Sequence, residues 1–197
     1  MWGTSSTDLY IIGNSGLIAH RGTNGSWQKI DSGTGLPLLD IYGSSSKFGL
    51  YQILVVGSNN YPPRRTLLSI NGSNATTVST SPIEWDLYSI WFVPFQHYYL
   101  AGSGIYEKNS LSDNSWNNNP LDITKYSISS IRGNGLNDIY AVGSFGEVLH
   151  YNGKRWMSYI NETGLDNGSY GGLAVKGNLV VATGANNSQA VILMGRR

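Results

Sequence analysis

The sequence predicts an all-β protein, a β-propeller of five blades built mostly from four antiparallel strands each. Three observations carry this. Two stretches copy each other: Gly3, Asp8, Tyr10, Gly13, Gly16 and His20 recur as Gly133, Asp138, Tyr140, Gly143, Gly146 and His150, every pair 130 positions apart. That gap is too long for one supersecondary unit, but it divides into three units of about 43 residues, the length of a four-stranded propeller blade. The composition agrees. The chain of 197 residues has 25 Gly, 13 Tyr and 6 Trp but only 13% charged residues, roughly half the usual ~25%. Turn formers mixed with aromatic and β-branched residues favour many short strands joined by tight turns.

The unit reads strand by strand. A first strand ends in a glycine, as at Trp2-Gly3. A second has the form Asp8-Leu9-Tyr10-Ile11-Ile12-Gly13, followed by the turn Asn14-Ser15-Gly16. A third runs Leu17-Ile18-Ala19-His20, matched by Glu147-Val148-Leu149-His150. A turn such as Asn152-Gly153 then leads to a fourth strand begun by a tryptophan, at Trp27, Trp116 and Trp156. Period-two alternation joined by Gly-containing turns is the signal of an antiparallel meander.

Weaker copies fill the interval. Ile41-Tyr42-Gly43 and Ile90-Trp91-Phe92 take the place of Met1-Trp2-Gly3. Leu54-Val55-Val56-Gly57, Tyr99-Leu100-Ala101-Gly102 and Val180-Val181-Ala182-Thr183-Gly184 take that of the second strand. The blades are expected at about 1–40, 41–82, 83–125, 126–168 and 169–197, within one domain. Copy one is expected to lack most of its first strand and copy five its fourth. The expectation that follows is a segment of a longer polypeptide, with a five-bladed ring holding one three-stranded blade as the rival.

The unit resembles the bacterial propeller repeats of the form W-G-x-x-x-x-D-hydrophobic-Y-x-V-G-x-x-G-x-hydrophobic-x-H-Y-x-G-x-x-W, which are similar to photosystem II assembly-factor-like and sialidase Asp-box repeats. Copies one and four carry the pattern almost completely and the others its skeleton. The resemblance implies a secreted or cell-surface protein, and folding roles for the residues that repeat. Asn24-Gly25-Ser26-Trp27, Asp113-Asn114-Ser115-Trp116 and Asn152-Gly153-Lys154-Arg155-Trp156 then read as eroded Asp-box turns, each a turn followed by a packed indole.

Composition narrows the function classes. The net charge is +1 with no long basic run, which disfavours a phosphate-tracking surface and hence nucleic acid. There are no cysteines, so disulfides and thiolate metal sites are excluded. No apolar stretch reaches the ~18 residues of a membrane span. No cofactor or metal is expected.

Residues that repeat read as structural: Gly13, Gly16, His20 and Trp27, with Gly143, Gly146, His150 and Trp156. A histidine can serve a metal or acid–base role, but the shared repeat position of these two favours a packing role. Asp8 and Asp138 read likewise. Catalytic carboxylates should break the repeat; Glu84, Asp86, Glu107, Asp113, Asp122 and Glu162 do, yet they form no recognisable pair. With no counterpart of the sialidase arginine triad, a glycosidase is the least favoured reading, and the chain is expected not to be an enzyme.

Function should therefore lie in what does not repeat. The densest aromatic region holds Trp85, Trp91, Phe92, Phe95, His97, Tyr98 and Tyr99. Trp91 and Tyr99 read as inward strand residues, whereas Trp85 and Phe95 sit beside Pro82 and Pro94 and read as exposed. Tyr61-Pro62-Pro63-Arg64-Arg65 reads as a loop insertion, and insertions on repeat scaffolds often form the binding face. The candidate binding residues are thus Trp85, Phe95, His97, Tyr98, Tyr61, Arg64 and Arg65. The expected function is a non-catalytic module, extracellular or on the cell surface, that binds a protein partner or flanking domains of its own polypeptide. The alternative is a lectin-like propeller that stacks aromatic rings on surface glycans.

Overall fold

A computed structural model describes residues 1–60, 63–117 and 120–196. It contains five antiparallel sheets in chain order. Sheet 1 is formed by β1 (Trp2–Ser5), β2 (Asp8–Ile12), β3 (Ile18–Arg21) and β4 (Trp27–Ile30). Sheet 2 is formed by β5 (Leu38–Ser45), β6 (Tyr51–Asn60), β7 (Pro63–Asn71) and β8 (Asn74–Val78). Sheet 3 has three strands, β9 (Leu87–Val93), β10 (His97–Gly102) and β11 (Gly104–Lys108). Sheet 4 returns to four: β12 (Ile128–Gly135), β13 (Asp138–Gly143), β14 (Val148–Tyr151) and β15 (Trp156–Ser158). After the short helix α1 (Ile160–Thr163), sheet 5 closes the series with β16 (Gly168–Lys176), β17 (Leu179–Asn186) and β18 (Gln189–Arg196).

Each sheet is a simple meander whose neighbouring strands are consecutive in sequence. The two faces of each of the three middle sheets pack on the sheets before and after it, as alternation requires. Leu54 and Val56 of sheet 2 join Ile90, Phe92, Leu100 and Tyr106 of sheet 3 in one cluster. Trp91, Tyr99 and Ala101, from the other face of sheet 3, meet Ile131, Ile139, Ala141 and Leu149 of sheet 4. Val142 and Val148 then meet Tyr170 and Ala182 of sheet 5.

Close approach explains the repeat glycines other than Gly13, whose Cβ would meet only the Leu17 side chain at an ordinary 3.6 Å. A Cβ on Gly143 would stand 2.0 Å from the Ser127 carbonyl oxygen. Gly146 combines a left-handed φ of 79° with a hypothetical Cβ 2.4 Å from the Thr163 oxygen. The repeated Asp, Tyr and His form one local unit. His20 Nε2 lies 2.7 Å from Asp8 Oδ1, and its ring stacks on Tyr10 at 4.1 Å. In sheet 4, His150 meets Asp138 at 3.1 Å and stacks on Tyr140 at 4.2 Å.

Several expectations need correction. β1 is present and pairs with β2, so sheet 1 has all four strands. Among the described residues Trp116 begins no strand and sheet 3 ends at β11, although the Asn117 N–H bonds the Glu107 carbonyl of β11 at 2.9 Å. Its indole is buried nonetheless, at 1% exposure, with Nε1 donating to the Ser79 carbonyl at 3.0 Å. The tryptophan keeps its place against sheet 2 with no strand assigned to it among the described residues. Arg64 and Arg65 belong to no loop: they pair with Asn59 and Ser58 in the β6–β7 ladder, the longest hairpin before sheet 3. Tyr61 lies outside the described residues.

Candidate binding cleft

In a meander, successive turns alternate between the two faces of the array. Arg64 and Arg65 follow the turn between the second and third strands of sheet 2, and Trp85 lies between β8 and β9. Those residues share one face. Phe95 and His97 sit at the turn between the first and second strands of sheet 3, on the opposite face. The structure therefore separates the candidates into two groups, and removes one of them altogether.

Tyr98 is the residue removed. It is 1% exposed, and its hydroxyl donates to Gln52 Oε1 at 2.7 Å while accepting the Phe95 N–H at 3.0 Å. A ring held inside the core on both edges has no face to offer a ligand. Its side of β10 turns toward sheet 2, because strand residues alternate and Tyr99 faces sheet 4. Phe95 does stand exposed, with a left-handed φ of 61°. His97 is engaged: Nε2 lies 3.1 Å from Glu107 Oε2, and the ring lies 4.5 Å from that of Tyr99. The hydrogen bond from His97 holds the Glu107 carboxyl below its ordinary range, against the opposing effect of burial.

The other face gathers more. Arg65 and Glu84 both line a cleft of about 560 Å³, together with Thr66, Thr77, Thr80 and Ser81. Trp85 adjoins Glu84 and is 63% exposed. The segment that carries it is fixed from behind: the Trp116 N–H and Nε1 bond the Ser81 and Ser79 carbonyls at 3.1 and 3.0 Å. Beneath, Asp86 accepts Ser58 Oγ at 3.0 Å and the Tyr88 hydroxyl at 3.4 Å, which ties sheet 2 to sheet 3. Burial raises the Tyr106 phenol; the Arg65 charge opposes this and that of Asp86 adds to it. The cleft thus offers a cation, an anion and several hydroxyl-bearing side chains on a braced support, and the exposed indole of Trp85 follows its last lining residue, Glu84, in sequence. This combination can hold a polar extended ligand with one apolar group. Among the described residues no group of three His, Asp or Glu is placed to hold a metal ion, and no helix is long and apolar enough to cross a membrane.

One polar network gave no signal as a site. Arg132 on β12 binds Asp40 on β5 through Nη2 at 2.8 Å and Nη1 at 2.9 Å. Ser89 of β9, in the sheet between, donates to the same carboxylate at 2.5 Å and accepts the Ile131 N–H at 3.2 Å. The repeat held the clue: Asp40, Ser89 and Ser130 occupy one position of the unit, and Arg132 stands where the first three copies have Trp2, Tyr42 and Trp91.

No protein-family model matches the chain, and no curated protein matches it. Solved structures do. The chain is similar to YCF48 bound to D1 peptide, with a TM-score of 0.68 and 12% identity over 99% of this chain and 62% of that one. It is also similar to YCF48 from Cyanidioschyzon merolae, with a TM-score of 0.67 and 14% identity over 97% of this chain and 66% of that one. The fold is a β-propeller. Its five sheets are blades, and the chain spans just under two thirds of the length of these two structures. At such identities the likeness carries the architecture alone.

Proposed function

We propose that this propeller is a non-catalytic binding module whose ligand is an extended segment of a protein partner, held in the cleft lined by Arg65 and Glu84 and anchored beside it on the exposed Trp85. The observation that carries the reading is the cleft itself. It brings together Arg65 of β7 and Glu84 of the β8–β9 connection, from separate non-repeating stretches, and the exposed Trp85 follows Glu84. Exposed Trp and Arg beside hydrogen-bonding groups are the usual anchors of protein recognition. A further support is that a YCF48 structure of the same architecture holds a peptide.

The test is selection of a displayed peptide library on the folded chain, followed by the Arg65→Glu and Trp85→Ala variants. Enriched peptides should lose about tenfold or more in affinity to either variant, the scale of a single anchor residue. Enriched peptides that bind both variants unchanged would remove the cleft from consideration. A second reading, glycan binding, rests on the exposed Trp85, which follows the cleft residue Glu84, since an indole face can stack on a sugar ring. A glycan array that stays silent while peptides bind would end that reading.

A further inference from the structure

The corner where blades 1 and 2 meet holds a cavity of about 310 Å³. Trp2, Asp8 and Tyr10 of blade 1 line one side, and Tyr51, Ile53 and Asn71 of blade 2 the other. Its volume stands at the lower end of the ~300–1,000 Å³ of small-ligand pockets. Asp8, Tyr51 and Asn71 lie beside the β1–β2, β5–β6 and β7–β8 turns, so the cavity belongs to the face opposite the Arg65–Glu84 cleft.

The repeat shows what leaves this corner open. In blade 4 the residue after the repeat glycine Gly133 is Asn134, and it crosses the seam to blade 5. Its Nδ2 donates to the Gly177 carbonyl at 2.8 Å, and its Oδ1 accepts the Gly177 N–H at 3.1 Å. It also donates to Asp138. In blade 1 the same position holds Thr4, which donates to Asp8. A single hydroxyl cannot also make the paired bridge that an amide makes. The partner turn differs as well. Blade 5 turns tightly between Lys176 and Leu179. Blade 2 uses the longer turn between Ser45 and Tyr51, and Tyr51 stands 60% exposed at its end.

The rings that line the cavity are held in place. A Cβ on Gly43 would stand 2.4 Å from the Trp2 indole, so that ring lies flush against β5. Tyr10 is backed by His20, stacked at 4.1 Å, and its centroid is 6.1 Å from that of Trp2. Hydrogen bonds with Thr4 and His20 hold the Asp8 carboxyl below its ordinary range, so it is ionised at neutral pH. Aromatic faces attract cations, and the attraction grows as water is removed. A small ammonium or metal ion would surrender its hydration here for few oxygen acceptors. A quaternary ammonium has no N–H to satisfy, and its methyl groups can pack on the rings.

We infer that this cavity is a binding site for an organic cation with a quaternary ammonium head of the choline type. Trp2, Tyr10 and Tyr51 receive the methyl groups, and Asp8 answers the charge. The site lies on another face from the Arg65–Glu84 cleft and does not rest on it.

The test titrates choline and tetramethylammonium chloride into the whole chain at constant ionic strength. Calorimetry and the indole N–H resonances read the binding. Both cations should saturate, and ammonium chloride should not. The uncharged alcohol in which carbon replaces the nitrogen of choline should bind about tenfold weaker or worse. Tyr51→Ala removes an exposed ring and should weaken choline about tenfold. Asp8→Asn should do the same, and where that change disturbs the bond to His20, Tyr51→Ala decides alone. Phosphatidylcholine vesicles separate two sources of the ligand. Sedimentation of the protein with vesicles, reversed by choline, assigns a lipid headgroup; choline binding without sedimentation assigns the free cation. Choline that fails to saturate, an uncharged analogue that binds equally well, or unchanged affinity in Tyr51→Ala would overturn the inference.

Discussion

Arg132 grips Asp40 across an entire intervening blade. The two residues are 92 positions apart, and two guanidinium N–H groups reach the two carboxylate oxygens at 2.8 and 2.9 Å. Both side chains are largely shielded, 25% and 14% exposed. Ser89 bonds the same carboxylate, so the innermost strands of blades 2, 3 and 4 share one anion.

Removing one member of that group leaves a shielded charge without its partner. Arg132→Ala and Asp40→Ala should each cost about 2–3 kcal/mol, toward the lower end of values for buried pairs because some solvent remains. The double variant should cost clearly less than the sum, since the second loss removes the orphaned charge. Urea unfolding of the four proteins in the cycle measures this, and strict additivity would contradict a direct tie.

Acid should loosen blade 3 through Glu107. Its folded carboxyl titrates below the ordinary value of 4.5, chiefly because His97 bonds it. A carboxyl depressed on folding stabilises the protein above its unfolded pKa, and this contribution is lost as pH falls through the folded value. Stability should therefore decline below about pH 4.5, and Glu107→Gln should flatten part of that decline. Urea midpoints measured from neutral to acid pH read the effect. Asp8, depressed by hydrogen bonds from Thr4 and His20, adds a second contribution of the same sign at lower pH.

Two tryptophans should behave in opposite ways. Trp116 is buried beneath the cleft and bonded at both its backbone and indole nitrogens; Trp116→Ala should cost about 3–5 kcal/mol. Trp85 is exposed, and Trp85→Ala should change stability by no more than about 0.5 kcal/mol. Thermal unfolding of both variants is sufficient, and a large loss from Trp85→Ala would show that its ring braces the fold.

Glycines with similar dihedrals should also separate. Gly146 and Gly177 both have left-handed φ, 79° and 58°. A Cβ at Gly177 meets nothing within 4 Å, whereas at Gly146 it collides with the backbone of 163–165. Gly177→Ala should cost about 1 kcal/mol, from dihedral strain alone. Gly146→Ala should cost at least about twice that, the clash being added.

The architecture was legible because it is written many times: a unit seen clearly at Gly3–His20 and Gly133–His150 locates its eroded copies by period. The corrections fall where a unit departs from its copies. Trp116 marked a fourth strand by position, yet among the described residues packing holds the indole with no strand assigned to it, which no local pattern records. Arg64 and Arg65 read as insertion because period counts residues and cannot tell a longer loop from a longer hairpin. At the site, exposure of Trp85 followed from nearby turn signals, but Tyr98 was misread because an aromatic run does not say which ring faces the core. Asp40 and Arg132 were invisible as partners, since ion pairing across 92 residues leaves no spacing rule.

The serial packing of the blades also bears on how the protein is made. Each sheet covers the one before it, so the apolar face of a blade waits only for the next forty or so residues to leave the ribosome, and burial can advance with synthesis. Asp40 waits longer. Its partner emerges after the whole of blade 3, so the first two blades must hold their shape with that carboxylate unanswered, and the arrival of residue 132 turns a stack of neighbours into a cross-linked whole.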